Sequence, residues 1–62
     1  MSIYDNYRAN ADAQRAAAAA TTLANRRAMH LRSAETWDNM ATAIRETTER
    51  AMVNEAAKAA IV

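Results

Sequence analysis

A single histidine, His30, stands among three arginines, Arg26, Arg27 and Arg32, and this is the densest grouping of side chains able to do chemistry in the 62-residue chain. Acid–base catalysis by an imidazole needs a pocket and a second group to position substrate. A metal ion needs several histidine, cysteine or carboxylate ligands converging, and the chain has no cysteine. One imidazole among guanidinium groups is poor company for a cation. The sequence therefore predicts no catalytic residue, no metal ligand, no cofactor and no small-molecule substrate, and the chain is not expected to be an enzyme. The same arginines can contact phosphate, above all if a symmetric dimer doubles the patch. The plainer expectation is that they complement the negative end of a helix dipole and aid solubility.

Glycine is absent. Phosphate-cradling loops, dinucleotide fingerprints and nucleophile elbows all need close backbone approach at glycine, so these sites are excluded. Hairpin turns between strands want residues at positive φ and are equally disfavoured. A net charge of +1 and an isoelectric point near 8.3 are too balanced to select a polyanionic partner by bulk electrostatics. The longest apolar run is Ala16 to Ala20, far below the ~18 residues of a membrane-spanning helix. No basic leader followed by an apolar stretch is visible at the start. The expected setting is the cytoplasm, or a particle assembled there.

Alanine supplies 18 of the 62 residues and is the strongest helix former, while proline is missing. The fold class expected is all-α, with the chain (1–62) as one helical unit. Ser2-Ile3-Tyr4-Asp5 has the spacing of a capping signal, in which the hydroxyl accepts a free amide and the acid faces the positive helix end. The first helix is then expected from about residue 3 to about 32, closing on the cationic stretch Arg26 to Arg32. Ser33 serves as a cap, Glu35 and Asp38 supply first-turn acids, and the polarity reversal puts a turn at about 32–36. The second helix is expected over about 34–60. One continuous helix, roughly 90 Å long against about 42 Å for the hairpin, is the alternative.

In an antiparallel hairpin turning there, residue numbers facing one another add to about 66. Leu23 then lies beside Ile44 and Met29 beside Trp37. Tyr4 and Tyr7 approach Ala59 and Val62, and Glu55 meets Arg8 or Arg15. One side of the second helix gathers Trp37, Met40, Ala41 and Ile44, with Glu35, Asp38, Glu46 and Glu49 opposite as a solvated face. Glu46 and Arg50 stand four apart in the favourable order.

The first helix is apolar on two sides. A seam of small residues through Ala9, Ala13, Ala16 and Ala20 and a second through Tyr4, Tyr7, Ala11 and Ala18 would each accept a neighbour. Asn10, Gln14 and Asn25 are polar positions able to fix register. Folding back covers only one seam, and most apolar residues are alanine, so a self-sufficient core is not expected. The reading is a coiled-coil-like hairpin that packs into an oligomeric or heteromeric helical bundle, a structural or scaffolding subunit of a larger assembly such as a virion-type particle. Its partners are itself or other protein subunits, through Tyr4, Tyr7, Ala13, Ala20, Leu23, Met29, Trp37, Ile44 and Met52. The alternative is a small dimeric RNA- or DNA-binding regulator using Arg26, Arg27 and Arg32.

Overall fold

Ser2 starts the first helix as its sequence requires. In the computed structural model, which describes residues 2–61, its hydroxyl accepts the Asp5 N–H at 3.1 Å while the Asp5 carboxylate accepts the Ser2 N–H at 3.5 Å. A cap of this kind contributes about 0.5–2 kcal/mol to helix stability. The helix it opens, α1, runs Ile3–Ala20, and a second, α2, runs Ala24–Ile61. The two pack against each other as an all-α antiparallel hairpin, and the single continuous helix is excluded. The molecule measures 60 Å in its longest direction because α2 alone spans 38 residues.

The turn lies at Thr21-Thr22-Leu23, about eleven residues ahead of the position expected from charge polarity. Residues 32–36, including Ser33, are interior to α2, so the expected bounds of both helices are corrected. β-Branched threonines lose side-chain freedom in a helix and accept extended backbone readily. Thr21 takes φ −94° and ψ 143°, which ends α1 without any residue at positive φ. Its hydroxyl accepts the Leu23 N–H at 3.2 Å, and the Leu23 carbonyl accepts the first bond of α2 from the Arg27 N–H at 2.9 Å.

The cationic stretch therefore opens α2 instead of closing α1, at the end of a helix dipole that disfavours positive charge. No acid occupies the first turn of α2. Arg27 resolves part of this conflict across the turn, where its guanidinium donates to the Thr21 carbonyl at the C-terminus of α1, 3.0 Å away. The expected dipole complementation is met by one arginine, reaching back to the preceding helix.

Register follows from three cross-helix contacts. Tyr7 packs on Trp37, Gln14 bonds His30, and Arg8 and Arg15 both reach Asp38. Facing residue numbers add to about 45, not 66, so every cross-helix pair expected from the later turn is corrected. Leu23 sits in the turn away from Ile44, Trp37 stacks on Tyr7 and not on Met29, and Glu55 lies 3.7 Å from Lys58, with Arg8 and Arg15 engaged elsewhere. Ala59 lies far beyond the tyrosines on the projecting part of α2, and Val62 lies outside the described residues.

The core is made of alanine. Among the described residues, Ala11, Ala18, Ala34 and Ala41 are the buried apolar ones, and no larger side chain is fully buried. They belong to two seams of alternating three- and four-residue spacing, Tyr4-Tyr7-Ala11-Gln14-Ala18 on α1 and Arg27-His30-Ala34-Trp37-Ala41-Ile44 on α2, the repeat that holds one face toward one partner helix. Because α1 starts at Ile3, it covers α2 only to about residue 44, and every described side chain of α2 from Thr42 to Ala60 is exposed.

Candidate functional site

The hairpin has two unlike flanks, and their difference follows from helical periodicity. At about 100° per residue, Asp38 leans to one side of the line through Ala34 and Ala41, and Met40 leans to the other. On α1, Arg8 and Arg15 lie to one side of Ala11 and Ala18, with Ile3, Asn10 and Ala17 to the other.

The first flank is ionic. Asp38 binds Arg8 at 2.9 Å through one carboxylate oxygen and Arg15 at 2.7 Å through the other, and Arg15 also binds Asp12. The hydrogen bonds that Arg15 donates to Asp12 and then to Asp38 push its guanidinium above its already high ordinary value, so it remains charged at any accessible pH. Asp38 is thus half-buried and fully engaged, a correction to its expected place on a solvated face. Exposed pairs contribute little each and are screened by salt. Asp38→Ala should accordingly lower the thermal midpoint by a few degrees at low ionic strength, with the deficit shrinking in high salt; circular dichroism melts at both conditions measure it. A deficit unchanged by salt would assign the effect to packing instead.

The second flank is apolar and open. Ile3, Met29, Met40 and Ile44 are exposed and lie on this one side. At the open end of the hairpin Ile3, Tyr4 and Ile44 help line a shallow cleft of about 360 Å³ with Thr48 and Glu49. On the seam between the flanks, Tyr7 and Trp37 meet with ring centroids 5.4 Å apart and planes at 47°, a tilted arrangement favoured by their quadrupoles. His30 Nδ1 donates to Gln14 Oε1 at 2.8 Å, so the one histidine is tied into the helix interface.

Of the residues expected at interfaces, Tyr4, Tyr7 and Trp37 are half-buried within the hairpin itself. Ala13 and Ala20 lie on the outer face of α1, exposed, as does the rest of the seam through Ala9 and Ala16. Leu23, Met29, Ile44 and Met52 are exposed, Met52 on the projecting part of α2 at 67%. Arg26, Arg27 and Arg32 are all exposed but do not share a face. Successive positions turn by about 100°, so the three point to different sides of α2. Glu46 and Arg50 meet through the Glu46 carbonyl, which accepts from Arg50 Nε at 3.4 Å, while the ion pair of that segment is Arg45–Glu49 at 3.8 Å.

Sequence reasoning missed the Asp38 clamp. Its signal was present, since Arg8 and Arg15 are seven apart and fall on one helix face. Among the described residues there is no cluster of three or more metal-ligating side chains, and no helix is long and apolar enough to cross a membrane. Comparison with protein-family models, curated proteins and solved structures yields no match. What the fold defines is an antiparallel two-helix hairpin with an alanine core, one ionic flank and one apolar flank.

Proposed function

We propose that this chain is a small structural subunit that works by helix–helix association within a larger assembly, and that it is not an enzyme. The observation that carries this reading is the inversion of its apolar residues. Alanines fill the core, while Ile3, Leu23, Met29, Leu31, Met40, Ile44, Met52 and Val53 stay exposed. Ile3, Met29, Met40 and Ile44 among them share one flank, and contiguous exposed apolar side chains are ordinarily sites of protein association. A core of methyl groups leaves a short hairpin marginal by itself, as small scaffolds generally are. Association that covers those side chains supplies what the core lacks.

Size exclusion with light scattering, combined with circular dichroism over a dilution series, tests the reading. The expected result is a mass above that of one chain and a helicity that falls on dilution, because association and folding are linked by mass action. A single chain melting cooperatively at a concentration-independent temperature would overturn it. A titration with RNA and DNA belongs in the same experiment. Binding that weakens steeply with salt and is lost in R26A/R27A, with mass unchanged, would replace the scaffold by a nucleic-acid regulator.

A further inference from the structure

We propose that the partner on the apolar flank is a second copy of this chain, docked antiparallel through Met29, Ser33, Thr36 and Met40 of α2 to form a four-helix bundle; the proposal rests on the association reading above.

Three features of that stripe select this occupant. First, it is self-complementary. Its spacing of four, three and four residues keeps it on one helix face, and its order is large, small, small, large. A two-fold axis requires the same patch on both subunits, with residue i facing j and j facing i. Placed between Ser33 and Thr36, such an axis sets Met29 of each copy against Met40 of the other, and the small residues at the centre let the helices approach. The Thr36 hydroxyl already donates to the Arg32 carbonyl at 3.1 Å, so this hydroxyl proton needs no partner across the interface.

Second, the stripe continues an existing interface. On its inner edge it borders the α1-facing seam of His30, Trp37 and Ile44, and in the same register the exposed Leu23 of one copy comes beside the exposed Ile44 of the other. Two α1 helices are then brought to the same level of the bundle, because the two-fold axis crosses α2 near the middle of the segment that α1 covers. Ile3, Asn10 and Ala17 on this side of α1 are brought beside the shared core.

Third, the unlike edges of the stripe choose the direction. The outer edge of the stripe carries Asn25, Arg32, Asn39 and Glu46, and antiparallel docking sets Arg32 beside Asn39 and Asn25 beside Glu46 of the second copy. No like charges meet there. Parallel docking would instead set this polar outer edge against the α1-facing edge of the second copy, Arg32 beside Trp37 and Asn39 beside Ile44, and would put the two α1 helices on opposite sides of the pair. The ionic flank around Asp38 stays at the surface in either case.

Cross-linking reads this arrangement directly, since the chain contains no cysteine. Met29→Cys chains mixed with Met40→Cys chains should oxidise to a mixed disulfide dimer in preference to either self-dimer, because only the 29–40 pair comes within disulfide reach. Both substitutions are at exposed positions, so they leave the hairpin intact. The double variant M29E/M40E should weaken self-association on the order of a hundredfold or more, with hairpin helicity retained at high concentration. An oligomer by light scattering with no preference for the mixed disulfide would overturn this docking mode and leave the association reading standing. A folded single chain at all concentrations would overturn both.

Discussion

Ala11→Leu should open the hairpin. Ala11 has no exposed surface at all, and the register set by Tyr7–Trp37 and Gln14–His30 brings it level with Ala34, itself buried. Two alanines facing one another allow the helix axes closer than the usual 8–10 Å. A leucine there must force the helices apart or take a strained rotamer, and overpacking of this kind costs about 1–3 kcal/mol in a core able to adjust. This core adjusts badly, because what remains to hold α1 is the aromatic contact, one side-chain hydrogen bond and the Asp38 clamp, all of which need close approach. Spin labels at Ala9 and Thr36, both exposed and opposite in register, report the outcome. A short distance in the parent should give way to a broad distribution extending toward the roughly 40 Å of a straightened helix. Ala13→Leu, on the exposed outer face of α1, should leave the short distance intact. If the two leucines behave alike, Ala11 is not the close-packing point.

That contrast also shows where the sequence is informative and where it is not. Ser2 and Asp5 specify the start of α1 through a local arrangement that involves only neighbouring residues, and the capping box forms as read. Helical character follows from alanine content and the absence of glycine and proline, again a local matter. The turn is different. With no glycine or proline to mark it, its sign is the pair Thr21-Thr22 after five alanines, and β-branched residues lower helix propensity by only a few tenths of a kcal/mol each. The reversal of charge between Arg32 and Glu35 is the louder signal, yet it marks nothing but the interior of α2.

Register was misleading for a related reason. A helix apolar around most of its circumference finds apolar partners in almost any alignment, so matching Leu23 with Ile44 and Met29 with Trp37 carries little information. Polar residues discriminate better. Gln14 opposite His30, and two arginines a heptad apart converging on Asp38, occur together only when facing numbers add to about 45. The candidate interface residues divide on the same line. Tyr4, Tyr7 and Trp37 are engaged within the chain, and Leu23, Met29, Ile44 and Met52 are left exposed outside it.

Trp37→Ala should destabilise the hairpin more than any other truncation to alanine. Trp37 is the largest side chain on the α1-facing seam, midway along it, with Tyr7 on one side and the buried Ala34 and Ala41 one turn away in either direction. Complete burial of a tryptophan would make the loss ~3–5 kcal/mol; half-buried, it should cost about 2–3 kcal/mol, still a large share of a small domain's stability. Part of that belongs to the Tyr7 contact, and a double-mutant cycle with Tyr7→Ala isolates it, since tilted aromatic pairs contribute about 0.5–1.5 kcal/mol beyond the area they cover. Denaturant midpoints taken at one fixed chain concentration provide the measurement, because linkage to association would otherwise shift them. Additive losses would mean that Trp37 acts through the alanines beneath it and that the ring pair is incidental. Coupling in the expected range makes Tyr7–Trp37, beside Gln14–His30 and the Asp38 clamp, one of the contacts that set register between two helices whose alanine faces, being nearly uniform, cannot set it themselves.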